Sequence, residues 1–186
     1  MASVLSRRQP DLTVVLENIH DPHNVSAILR SCDAVGVLRV HAVYTIEEPP
    51  PGAFARQTSA SAAKWVEVER HTSLADCFDR LRTENYRILV TSIGSDSRHL
   101  FDCDLTAPVA LVLGNEMRGA SVEARQLSDG GIEIPMAGMV QSLNVSVACA
   151  VCLYEAYRQR EAVGAYDVPK IEQIARNALT EDWLRR

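Results

Sequence analysis

Five short apolar runs, LTVVLE from Leu12, LRVHAV from Leu38, YRILVTS from Tyr86, PVALVLG from Pro108 and IEIPM from Ile132, alternate with stretches of helical apolar spacing. The helical stretches are predicted at Val25 to Val35, Leu74 to Leu81, Val122 to Leu127 and Ser142 to about Glu161. Strands that are apolar nearly throughout bury both faces, and strands joined by helices run parallel. The pattern therefore predicts an α/β fold, a parallel sheet flanked by helices. At 186 residues the chain is about one domain long. After Gly164 the pattern changes: AYDVPK reads as a linker and Ile171 to Leu184 as a terminal amphipathic helix. Glu47 to Lys64, with three consecutive prolines among small polar residues, reads as the most mobile loop.

Composition removes several function classes. A chain that is 47% hydrophobic and 23% charged is neither disordered nor coiled coil. Its apolar runs fall short of the roughly 20 residues that a membrane span needs, and Met1 to Pro10 holds no apolar signal core, so a cytoplasmic protein is expected. Five cysteines, an odd number, argue for reduced thiols. A net charge of −5 and a pI near 5.5 speak against nucleic-acid binding by bulk electrostatics but leave room for a local basic site. Only Lys64 and Lys170 are lysine among 19 cations, and arginines cluster at Arg7–Arg8, Arg158–Arg160 and Arg185–Arg186. Arginine suits bidentate phosphate contacts; GC-rich codon usage produces the same imbalance.

Three segments carry chemistry. In ENIHDPHNVSAILRSCDAVGV a strand ends at Glu17, Asn24 stands at the expected helix N-cap, and Arg30 lies six residues along the same helix. An arginine held there suits a carboxylate or phosphate. His20, Asp21 and His23 are metal-capable types, but such a turn is more often simply polar, and no metal is expected. In LVLGNEMRGAS an apolar strand runs into G-x-x-x-x-G and a helix, with Glu116 in the turn. A phosphate-binding Walker loop would follow its second glycine with lysine, whereas Gly119 is followed by Ala120 and Ser121, which argues against a nucleotide hydrolase. The glycines still let backbone approach a ligand. In IEIPMAGMVQSLNVSVACAVCLYEAYRQR a strand passes through a Met/Gly loop to Ser142-Leu143-Asn144, which opens a long helix. That apolar loop with polar groups at its end suits an adenine pocket. Cys149 and Cys152 on the helix read as core.

Together, PHNVSAILRSCDAVGV, LGNEMRGAS and IPMAGMVQSLNVSVA resemble, in order and spacing, the three motifs of the SpoU/TrmH-type RNA 2′-O-ribose methyltransferases of the SPOUT superfamily. RRQPDLTVVLENIH, YEAYRQR and DWLRR extend the resemblance to the subgroup that methylates a guanosine of the tRNA D-loop. The resemblance implies S-adenosylmethionine as cofactor, a deep C-terminal trefoil knot, a homodimer whose subunits complete each other's sites, and tRNA as partner. It implies a methyltransferase domain over residues 1–163 and a linker with a C-terminal helix over 164–186. Arg30 would be catalytic, with Asn24, Glu116, Ser142 and Asn144 around it. Cofactor contacts would come from Thr91, Gly114, Ile134, Met136 and Leu143. Arg8, His23, Lys64, Arg158 and Arg160 would contact tRNA. Members of the family often carry a basic helix before the RRQPDL segment, and only six residues precede Arg7 here.

A ribose 2′-hydroxyl becomes a good nucleophile on losing its proton, and methyl transfer then needs in-line placement, without a metal. A guanidinium normally stays protonated. Arg30 is therefore either an unusual base or a stabiliser of the forming alkoxide. Two other readings remain: the same chemistry on ribosomal RNA or the anticodon loop, and a non-catalytic RNA-binding adaptor.

Overall fold

A computed structural model describes residues 1–46, 62–94 and 97–186. Most of the Glu47–Lys64 segment predicted as mobile lies outside the described residues. The chain opens with a short helix α1 (Ala2–Ser6), then β1 (Leu12–Glu17), α2 (Pro22–Ala34) and β2 (Arg39–Val43). Next come β3 (Glu67–His71), α3 (Leu74–Thr83), β4 (Arg87–Thr91) and β5 (Ser97–His99). It ends with β6 (Val109–Leu113), α4 (Val122–Leu127), β7 (Gly130–Glu133), α5 (Val145–Ala162) and α6 (Gln173–Arg185).

Every pairing in the seven-stranded sheet is parallel, in the order β3-β2-β1-β6-β4-β7-β5. The α/β expectation is met. Strand side chains alternate between faces, and both faces are buried. On β1, Leu12, Val14 and Leu16 pack with Val25, Ile28 and Leu29 of α2 and Cys149, Cys152 and Leu153 of α5. Val15 joins Phe78 and Leu81 of α3 and Ala124 of α4 on the other face. Because β6 lies between β1 and β4, successive crossovers diverge at the sheet centre and open a crevice at the carboxyl ends of β4, β6 and β7.

Three local expectations are corrected. The N-cap of α2 is Asp21, not Asn24: the Asp21 carboxylate accepts from His23 N at 2.8 Å and Pro22 fills the first helical position. Asn24, inside the first turn, is thereby free to point elsewhere. The long helix starts at Val145, with Asn144 as its cap through Ser146 N. The C-terminal helix is present without a continuous apolar face, since Ile174 is 83% and Leu184 69% exposed. It is anchored by buried Trp183, whose ring meets Trp65 edge-on at 5.2 Å beneath the Arg8 guanidinium.

Candidate active site

At the carboxyl edge of the sheet a cavity of about 610 Å³ is bounded by the exits of β4, β6 and β7 and by the loop entering α5. That volume suits a nucleoside-sized ligand. Its lining includes Thr91, Gly114, Ile134, Met136 and Leu143, the five residues expected around the cofactor, together with Glu116, Ser142 and Asn144.

The β6 exit explains the glycine spacing. A Cβ on Gly114 would lie 2.0 Å from Ala120 N and 2.2 Å from Gly119 C, so only glycine permits this close crossing. Gly119 turns the chain at φ +67°, in the left-handed region. Asn115 pins the turn, accepting from Met117 N and Arg118 N and donating to Asn18 O at 2.7 Å. Glu17, buried at the end of β1, accepts from Ser121 N at 3.0 Å and so ties the far side of the loop to the sheet. Sequence reasoning passed over Asn115 and Glu17, although Asn beside a loop glycine and a carboxylate ending an apolar strand are both visible signals.

One polar network brings together three of the predicted site residues. Asn24 Nδ2 donates to Glu116 Oε1 at 3.0 Å, and Asn24 Oδ1 accepts from Asn144 Nδ2 at 3.1 Å. Glu116 also accepts from the backbone N–H groups of Asp21 and His20 at the amino end of α2. Partial burial pushes the Glu116 carboxyl up. The Asn24 hydrogen bond and those backbone donors outweigh it and hold the group below the usual carboxylate value. The network thus fixes a carboxylate at the cavity rim and couples the amino ends of α2 and α5 to the β6 loop.

Arg30 is not part of it. It lies on α2 about 9 Å along the axis from Asn24 and about 120° around it. Its side chain is exposed, outside the cavity lining, with no hydrogen bond or ion pair among the described residues. Of the residues expected to meet RNA, His23 and Arg158 are exposed and Lys64 is half-buried. Arg158 forms a two-point pair with Glu155 at 2.8 Å. Arg8 and Arg160 are corrected: they are 1% and 0% exposed. Arg160 donates to Leu105 O, Gln9 Oε1, Asp11 Oδ1, Asp11 O and Ala107 O, while Arg8 pairs with Asp33 and Val37 O. Their donors hold the fold together instead of facing solvent. All five cysteines are free and buried, and burial pushes the Cys152 thiol up to about 12.

The sequence profile of the SpoU rRNA Methylase family matches residues 11–154. The tRNA (guanosine(18)-2′-O)-methyltransferase of Thermus thermophilus is 49% identical over 183 residues, covering 98% of this chain and 93% of that one. The crystal structure of the Aquifex aeolicus TrmH/SpoU tRNA modifying enzyme superposes with a TM-score of 0.90 at 36% identity, over 99% of this chain and 92% of that one. The SpoU methyltransferase AviRb of Streptomyces viridochromogenes, solved in complex with AdoMet, superposes with a TM-score of 0.71 at 28% identity, over 84% and 62%. The matched stretch contains the parallel sheet and the loops that line the cavity, and the chain belongs to the SpoU rRNA methylase family.

Proposed function

We propose that this protein transfers a methyl group from S-adenosylmethionine to the ribose 2′-oxygen of guanosine-18 in tRNA, the activity named for its relative. The observation that carries the reading is the cavity, where the five expected cofactor residues meet the Asn24–Glu116–Asn144 network. The site fits the cofactor. Gly114 lets the β6 exit cross tightly over the Gly119–Ala120 backbone at the cavity wall, and the lining joins apolar Leu113, Ile132, Ile134 and Met136 to polar groups at the rim. When bound, S-adenosylmethionine supplies an electrophilic methyl on a sulfonium. The residues of this chain do the rest. Thr91, Gly114, Ile134, Met136 and Leu143 hold the nucleoside and methionine portions. Glu116 and Asn144 set the rim against which the ribose rests.

The protein acts as a homodimer. Met117 at 95%, Met139 at 99% and Val140 at 62% exposure put apolar surface around the cavity, and Val147 and Tyr154, seven residues apart, continue it along one stripe of α5. Within one copy Arg30 stands away from the cavity, and the second copy brings its Arg30 to the ribose. There the guanidinium stabilises the alkoxide or takes its proton. His23, Lys64 and Arg158 face tRNA. We further read residues 1–163 as the methyltransferase domain, threaded into a trefoil knot towards its C-terminal end, with 164–186 as an appended linker and helix, working in the cytoplasm.

Calorimetry with S-adenosylhomocysteine tests the site. Saturable binding that an alanine at Gly114 weakens at least tenfold is expected, and no detectable binding of the wild type at millimolar ligand would overturn the assignment.

A further inference from the structure

Away from the cavity, His41 of β2, His71 of β3 and Cys77 of α3 each offer a metal-ligand atom, and these atoms all lie within 4.8 Å of one another. In the parallel register His41 stands opposite Glu69 and Val43 opposite His71, so His41, Glu69 and His71 share the sheet face that α3 covers. His41 and Cys77 are completely buried, and His71, its side chain 9% exposed, sits at the end of the edge strand. None of the three lines the cofactor cavity.

Two observations go beyond proximity. His41 Nδ1 lies 2.9 Å from His71 Nε2, while its other nitrogen, Nε2, is buried with no hydrogen-bond partner among the described residues. Such an orphan is costly, and a metal ion bound at Nε2 would relieve it. The Glu69 carboxylate approaches the same pair, 3.6 Å from His71 Nε2 and 4.0 Å from His41 Nδ1, held there by Arg80 and Arg39. Two imidazoles and a thiol are three donors of a four-coordinate zinc site, in which neighbouring ligand atoms lie about 3.3 to 3.8 Å apart.

We propose that His41, His71 and Cys77 form a structural site for a divalent cation of the zinc type, with the fourth position left to water. The ion clamps the edge strand β3 to β2 and α3. Coordination displaces the thiol proton of Cys77 to the buffer, leaving thiolate bound to the metal. The sequence reading missed the site because its ligands come from three elements and follow no short spacing.

The test is titration of chelator-treated protein with Co²⁺. One ion per chain is expected, giving intense visible bands of a four-coordinate ion and a near-ultraviolet thiolate charge-transfer band. Cys77→Ser should lose that band while still binding S-adenosylhomocysteine, and Cys103→Ser should keep it. If Cys77→Ser fails to fold, His71→Gln at the sheet edge takes its place and should lose the four-coordinate bands. Zinc at 100 times its dissociation constant should raise the melting temperature by about 5 to 10 °C. Absence of a thiolate band in the wild type, or the same band in Cys77→Ser, would overturn the proposal.

Discussion

Asn24 is 8% exposed, and its amide joins Glu116 to Asn144. Asn24→Ala removes both hydrogen bonds. A bond to a charged acceptor is worth about 1.5 to 3 kcal/mol and one between neutral groups about 1 kcal/mol. Glu116 is largely solvent-exposed, so the first value belongs at its lower end. The pair then amounts to about 2.5 kcal/mol, or roughly 30- to 100-fold in rate if the network acts in the transition state. Asn24→Asp should be worse, because it places a second carboxylate at hydrogen-bond distance from Glu116 in place of a donor. Adding Glu116→Gln to Asn24→Asp re-forms a donor–acceptor pair with the roles reversed and should recover about tenfold, a coupling that independent sites would not show. The assay is single-turnover methyl transfer to a tRNA transcript, with the melting temperature followed in parallel. Asn24→Ala keeping more than half the rate, or strict additivity in the double variant, would refute the reasoning.

Gly114→Ala should reduce S-adenosylhomocysteine affinity at least tenfold by calorimetry, since its Cβ would meet backbone at 2.0 Å. Arg160→Lys, which gives up most of five internal hydrogen bonds, should cost about 3 kcal/mol and lower the melting temperature by roughly 6 to 12 °C. Burial raises the Asp11 carboxyl, but Lys170 and Arg160 outweigh it and hold it below 3.8. Its contribution is therefore complete at neutral pH and lost as pH falls below 3.8 and through the folded value. The stability gap between wild type and Asp11→Asn should be flat near neutrality and close in acid. Arg158→Ala should weaken tRNA binding in filter assays and also lower the melting temperature by a few degrees, because it leaves the buried Glu155 carboxylate with only Gln159 as side-chain donor.

The central strands and α4 were legible because their residues are apolar on both faces or carry a clear cap, as Ser121 does for α4. β3 was not. Its Glu67–His71 sequence is polar because an edge strand meets solvent and ion pairs, and Glu69 is shared between Arg39 and Arg80. β5, three residues long, and α1, with only Leu5 buried, are too short for periodicity to register. The cavity lining was legible through the motif resemblance, and the glycine spacing within it has a steric cause. What the sequence hid was direction. Arg8 and Arg160 sit in basic clusters that look like phosphate contacts, yet tertiary structure turns them inward onto carbonyl and carboxylate oxygens. Arg30, expected at the catalytic centre, is exposed and outside the cavity lining.

The most direct measurement is mass-spectrometric mapping of ribose methylation in an unmodified tRNA transcript incubated with the purified protein and S-adenosylmethionine. Methylation at guanosine-18, lost with Arg30→Ala while S-adenosylhomocysteine still binds, is the predicted result. Methylation at another nucleotide, methylation of ribosomal RNA in place of tRNA, or an Arg30→Ala protein keeping more than about a tenth of the wild-type single-turnover rate would contradict it.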